Sequence, residues 1–126
     1  QHTDPETKRL LAPYATQIWQ PETMTIAAFS EQLAMQDVLL TSRAHGAICG
    51  ACLGVPSVIV GIEPKLAHVA AMLPNASMLV DAASPEHWPS AVARARSISP
   101  ETIATDVANN RAASEAAFAL MRSYMA

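Results

Sequence analysis

Residues 37 to 69 read DVLLTSRAHGAICGACLGVPSVIVGIEPKLAHV, in which an apolar run, a run of small residues, a Gly-Val-Pro stop and a second apolar run follow one another. Val38 to Thr41 is continuously apolar rather than alternating, the pattern of a strand buried on both faces of a parallel sheet. From Arg43 to Leu53 the residues are mostly small, which suits a helix lying very close to a sheet, and Gly54-Val55-Pro56 ends it. Ser57 to Gly61 reads as another buried strand. Pro64 to Leu73 follows as a helix with Leu66, Val69, Ala70 and Leu73 on its apolar side. Short apolar strands alternating with helices are the signature of βαβ units and hence of a parallel sheet.

The flanks extend the pattern. Downstream, Ser77 to Val80 is a shorter strand, and Ser84-Pro85-Glu86 opens a helix that runs to about Arg96. Ser99-Pro100-Glu101 then opens an alanine-rich stretch, one long helix or two consecutive ones, with Ile103, Val107, Ala113, Ala117, Leu120, Met121 and Tyr124 at helical spacing. Upstream, Thr25 caps a helix marked by Ile26, Phe29, Leu33 and Ala34. Before it stand a short strand, Gln17-Ile18-Trp19, and a first helix opened by Thr3-Asp4-Pro5-Glu6, with Leu10, Leu11 and Tyr14 on its apolar face. The expected class is α/β: a Rossmann-like parallel sheet with helices on both faces, residues 1–126 forming one domain. Such units usually open on a strand, whereas this chain opens on Gln1 and a helix. It is therefore expected to be a C-terminal fragment of a longer two-domain protein whose missing strand lies upstream.

Composition narrows the partners. The 126 residues are 51% hydrophobic and carry 8 Lys+Arg against 11 Asp+Glu, a formal net charge of −3. That balance lacks the basic surface that drives binding to a phosphate backbone, so nucleic acid is not expected as a partner. The chain has two cysteines, no signal-like segment and no apolar run near the roughly eighteen residues of a membrane span. A cytoplasmic setting is expected.

The stretch TSRAHGAICGACLG, residues 41 to 54, holds both cysteines and three of the four glycines. Cys49 and Cys52 fall inside the expected helix rather than at its N-terminus, where a helix dipole would activate a thiol. A structural zinc site needs a second such pair. His45, Cys49 and Cys52 at i, i+4 and i+7 leave a three-ligand metal site geometrically open. The expected role of the cysteines is nonetheless packing, as small apolar side chains between helix and sheet, with no metal and no cofactor. An anion site has a more direct mechanism. A buried strand handing over to a helix at Ser42-Arg43 places free first-turn N–H groups at the carboxyl edge of the sheet. Arg43 can grip a carboxylate or phosphate bidentately, Ser42 can donate its hydroxyl, Gly46 leaves room for close approach, and His45 can exchange a proton near neutrality. The same residues also have a purely structural reading, with Ser42 as helix cap, Arg43 in solvent and His45 hydrogen-bonded in packing.

With its Asp and apolar strand, Ser-Arg-x-His-Gly, small-residue helix, Gly-Val-Pro, second strand and Pro-Lys, the stretch 37 to 69 resembles the C-terminal half of the polysaccharide pyruvyltransferase family. The resemblance implies a transferase that moves the enolpyruvyl group of phosphoenolpyruvate onto two hydroxyls of a sugar, in an exopolysaccharide or a cell-surface glycan precursor assembled at the inner face of the membrane. It implies a fold similar to two-domain GT-B-like glycosyltransferases, with the active site in the cleft between a missing N-terminal half and this one. Carried over, Arg43 would hold the donor's phosphate or carboxylate, and His45 would be the acid that protonates the methylene carbon. Beside the resemblance, Ser42 and Gly46 belong to the anion site. Lys65, after the next strand at the same sheet edge, can add a second positive charge or stand as a solvated first-turn lysine, and Glu63 can contact a sugar hydroxyl or cap its helix. Ala44 departs from the leucine usual in the family between the arginine and the histidine, which widens the wall of the donor pocket. Two alternatives stand beside this reading: the C-terminal half of a sugar-nucleotide glycosyltransferase, and a non-catalytic anion-binding or interaction module. In similar two-domain folds the last helical stretch crosses back to the other half, so in a fragment its apolar face would be partly exposed and a homodimer would follow as an artefact of the missing half. His2, His68 and His87 read as surface residues, and Trp19 and Trp88 as core or its margin.

Overall fold

A computed structural model describes residues 22–125 together with Arg9 and Pro13. The expected first helix and the strand at residues 17 to 19 lie outside the described residues. The described elements are α1 (Ile26–Ala34), β1 (Leu39–Thr41), α2 (Ala44–Cys52), β2 (Ser57–Val60), α3 (Pro64–Met72), β3 (Ser77–Val80), a 3-10 turn (Pro85–His87), α4 (Trp88–Arg96) and α5 (Pro100–Met125). The three strands form one parallel sheet in the order β1-β2-β3, with Leu39 opposite Ser57 and Ser57 opposite Ser77. The chain is thus an α/β structure built from consecutive βαβ units.

Helices cover both faces. Successive side chains of a strand point to opposite sides, and β2 divides accordingly. Ile59 joins Ala47 and Ala51 of α2, Leu66 and Val69 of α3, and Ile103 of α5 in one core. Val58 joins Ala91 and Ala95 of α4 in the other, with Val60, Met78 and Val80 at its margin. Among the described strands only the central one is buried on both sides. β1, expected to be so, is an edge strand that leaves Leu40 49% exposed, because no strand among the described residues flanks it on its outer side.

Local signals explain the element ends. Thr25 caps α1 by accepting the N–H of Ala28 at 3.1 Å. Ser99 accepts the N–H of Thr102 at 3.2 Å at the start of α5. There Glu101 accepts hydrogen bonds from its own backbone N–H and from the Ser99 hydroxyl, which hold its carboxyl below the usual range. Gly54, at φ +76°, ends α2: its N–H reaches Ala51 O at 3.0 Å and that of Val55 reaches Gly50 O at 2.8 Å, the paired bonds of a Schellman motif. Ser84 makes no such cap. The turn after β3 is instead closed by Asp81, whose Oδ1 accepts the N–H of Ala83 at 2.8 Å.

At the opposite end of the sheet Asp106, 2% exposed, accepts three hydrogen bonds: from the backbone N–H groups of Asn75 and Ala76, both at 2.8 Å, and from the Asn75 side-chain amide at 2.9 Å. One carboxylate thereby ties α5 to the loop that feeds β3. α5 is a single helix, and its side chains beyond Asn110 are exposed throughout. Among the described residues no helix is long and apolar enough to cross a membrane.

Two stability measurements test this account. Asp106→Ala strips a buried backbone N–H, that of Ala76, and a part-buried one, that of Asn75, of their acceptor and should cost about 3 kcal/mol in urea unfolding, as for the loss of charge-assisted hydrogen bonds. The Ser57 hydroxyl is fully buried and finds no hydrogen-bond partner among the described residues. Ser57→Ala should therefore leave stability unchanged or raise it by up to about 1 kcal/mol, since a desolvated, unpaired polar atom is removed.

Candidate functional site

Thr41 closes β1 and Ala44 opens α2, so Ser42 and Arg43 make the entire turn. Such a short handover needs an internal brace, and Thr41 supplies it: its Oγ1 accepts the Arg43 N–H at 3.0 Å. Arg43 is the N-cap residue, extended at φ −118° and ψ 126°, and no side chain caps the helix. The capping role considered for Ser42 is thus not the one it has. Ser42, Arg43 and His45 are all exposed, and among the described residues none of their side chains has a hydrogen-bond or ion-pair partner. The packing alternative for His45 does not hold.

Gly46 has a structural cause. A Cβ there would lie 2.6 Å from Thr41 Oγ1, so a side chain at 46 would displace the hydroxyl that braces the turn. Two turns of small residues continue the contact. Ala47, Gly50 and Ala51 are the buried residues of α2, and a Cβ at Gly50 would meet Leu39 Cδ2 and Val55 O at 3.2 Å each. Cys49 and Cys52 are free and exposed, which corrects their expected role: alanine and glycine, not cysteine, fill the space between helix and sheet. The three-ligand alternative with His45 is not realised either. Among the described residues no group of three or more His, Cys, Asp and Glu is placed to hold a metal ion.

The parallel register brings the next two strand ends to the same edge. After β2, Gly61 takes φ +152°, and a Cβ on it would collide with the Glu63 carboxylate and with Leu66. The chain can therefore turn sharply into α3, with Glu63 at its N-cap and Pro64 at its first position. Glu63 makes no side-chain capping bond, and it and Lys65 are exposed. The carboxyl edge thus collects Ser42, Arg43, His45 and Gly46 from the β1 end and Glu63 and Lys65 from the neighbouring β2 end, strands that lie about 4.8 Å apart.

Sequence reasoning passed over three residues of this edge. Thr41 braces the turn. Ile62, 77% exposed, places an apolar side chain between the β2 end and Glu63. Asp81 follows β3, and its carbonyl accepts the Trp88 indole N–H at 3.0 Å, which fixes that half-buried ring beside the edge. A hydroxyl two residues before a helix N-cap and an acid directly after a strand are the local signals that mark Thr41 and Asp81. Ile62 carries no such signal. Charges alternate along the edge, with Arg43 and Lys65 among Glu63 and Asp81, so an anion would be gripped locally rather than drawn in by a uniform field. Neither a family model, nor a curated protein, nor a solved structure matches this chain.

The Thr41–Gly46 contact is open to a double-mutant cycle. Gly46→Ala should lower stability by about 1–2 kcal/mol, the cost of overpacking outweighing the gain in helix propensity. In a Thr41→Ala background the same substitution should become neutral or stabilising, read as a coupling of at least about 1 kcal/mol in urea unfolding.

Proposed function

We propose that this chain is the donor-binding half of a polysaccharide pyruvyltransferase, one wall of a GT-B-like cleft whose other wall would be an N-terminal half holding the acceptor sugar. The observation that carries the reading is the pairing of Arg43 and His45 on the first turn of α2. Both are exposed at the carboxyl edge and without side-chain partners among the described residues, and Lys65 rises from the adjoining strand end. A guanidinium next to uncapped helix N–H groups is an anion clamp, and an imidazole two residues on is a proton donor held close to whatever the clamp grips. The resemblance of residues 37 to 69 supplies the substrate.

The reaction asks for those two functions. In this reading His45 delivers a proton to the methylene carbon of phosphoenolpyruvate, and positive character develops at the neighbouring carbon while Arg43 and Lys65 hold the phosphate and carboxylate. One sugar hydroxyl adds to that carbon. Phosphate leaves with its bonding electron pair, the second hydroxyl closes the ketal, and the two hydroxyl protons pass to the departing phosphate and back to His45. Glu63, exposed at the same edge, would accept a hydrogen bond from a sugar hydroxyl. Ala44, half-buried behind Arg43, leaves more room in the wall than a leucine would.

Calorimetric titration tests the reading. Phosphoenolpyruvate should bind the chain, Arg43→Ala should weaken binding about 10–100-fold, the equivalent of a charge-assisted hydrogen bond, and His45→Ala should leave binding within about twofold while abolishing ketal formation by the complete two-domain enzyme. Binding of a UDP-sugar alone would favour a glycosyltransferase half. Binding of neither ligand would favour the non-catalytic module.

A further inference from the structure

Along α5 the residues Pro100, Ala104, Val107, Arg111, Ser114, Phe118, Met121 and Met125 recur at alternating spacings of four and three, the repeat of a coiled-coil seam. The first half of this seam is small and concave. Pro100, Ala104, Val107 and Arg111 line an open, largely apolar groove of about 380 Å³, closed on its other side by Ala51, Cys52 and Gly54 at the end of α2. The second half is large and convex: Phe118, Met121 and Met125 are 60%, 57% and 84% exposed. Groove and ridge lie on one face of one helix. From Pro100 to Met125 the helix is about 39 Å long at 1.5 Å per residue.

We infer that this face is the interface between two copies of the chain, paired antiparallel about a twofold axis between Ala112 and Ala113. That pairing matches each large residue with a small one in every repeat: Met125 with Pro100, Met121 with Ala104, Phe118 with Val107, and Arg111 with Ser114, each pair made twice. A parallel pair would set large on large and small on small, which neither fills the groove nor closes the seam. Charge agrees with the antiparallel register. Arg111, bonded within its own helix to Glu115 at 3.0 Å, lies next to the axis, where Glu115 of the second copy comes within its reach. The two ion pairs can therefore become a four-membered network. Five large apolar side chains, Leu120 and Tyr124 being the others, stand exposed on this segment. Covering most of them in both copies, together with the groove, approaches the ~1,000 Å² that a specific interface requires. An isologous contact of this kind closes on itself and stops at two.

Sedimentation equilibrium of the 13.4 kDa chain should give twice that mass at micromolar concentration. Phe118→Glu combined with Met121→Glu should return it to the monomer while the domain keeps its cooperative unfolding transition, any loss of helical circular dichroism being no more than the uncovered turns beyond Asn110 account for. In Cys49→Ser, Met125→Cys the remaining Cys52 lies in the groove. Diamide, which takes two electrons and two protons from a pair of thiols, should then join residue 125 of one copy to Cys52 of the other, giving a dimer on a non-reducing gel and the 125–52 linked peptide by mass spectrometry. A monomer up to 100 μM would overturn the inference, as would a dimer that survives the double glutamate variant. A 125–125 link in place of 125–52 would show a parallel pair and overturn it equally.

Discussion

Where a helix meets a sheet, the separation is set by the side chains between them, and at Gly46 and Gly50 there are none. α2 therefore rests on β1 against Thr41 and Leu39 directly, and the turn joining the two elements shrinks to Ser42 and Arg43. A longer turn would let these residues swing. At this length their backbone is fixed by a strand on one side, a helix on the other and the Thr41 hydroxyl between. The arrangement places a guanidinium and an imidazole on one helical turn without a side chain among the described residues to hold either of them. Preorganisation here comes from the backbone, and the side chains are left available for a ligand.

The far end of the sheet is secured by different means. There specificity comes from a charge: the Asp106 carboxylate takes up the backbone N–H groups of Asn75 and Ala76, the second of which the loop before β3 would otherwise bury unsatisfied. Asn110 extends the clamp by donating to the carbonyls of Met72 and Asp106. One edge is thus tightened by the absence of side chains and the other by a fully occupied one. The candidate site sits on the first and the anchoring of α5 on the second.

Much of this order could be read from the residues alone. The βαβ alternation, the parallel sheet with helices on both faces, the caps at Thr25 and Ser99 and the stop at Gly54 follow from periodicity and turn chemistry, which are local. What escaped the sequence depends on neighbours. An apolar run such as Val38 to Thr41 looks the same whether its strand is central or at an edge, so the exposure of Leu40 was not legible. A helix rich in alanine, glycine and cysteine does not announce which small residues face the sheet, and the cysteines proved to be the outward ones. Asp106, at the packed spacing from Ile103, was hidden because an acid inside an apolar face reads as an interruption until its partners are seen. At the carboxyl edge the topology brings Ser42, Arg43, His45, Glu63 and Lys65 together as the strand order requires, and Ile62 with them, but an isoleucine after a buried strand carries no sign that it is 77% exposed.

The length of α5 beyond Asn110 has a consequence for motion. These fifteen residues of helix are exposed throughout, and an isolated helix of that size is marginal in water. Its alanines help, but a single element is thereby divided into two regimes. The turns near Asp106 open only when the whole domain does, whereas the later turns fray on their own with a free energy near zero unless something covers them. Amide exchange along this one helix would then form a gradient, slow at Ile103 and fast at Tyr124, and the steepness of that gradient reports directly how much order an occupant of the exposed face supplies.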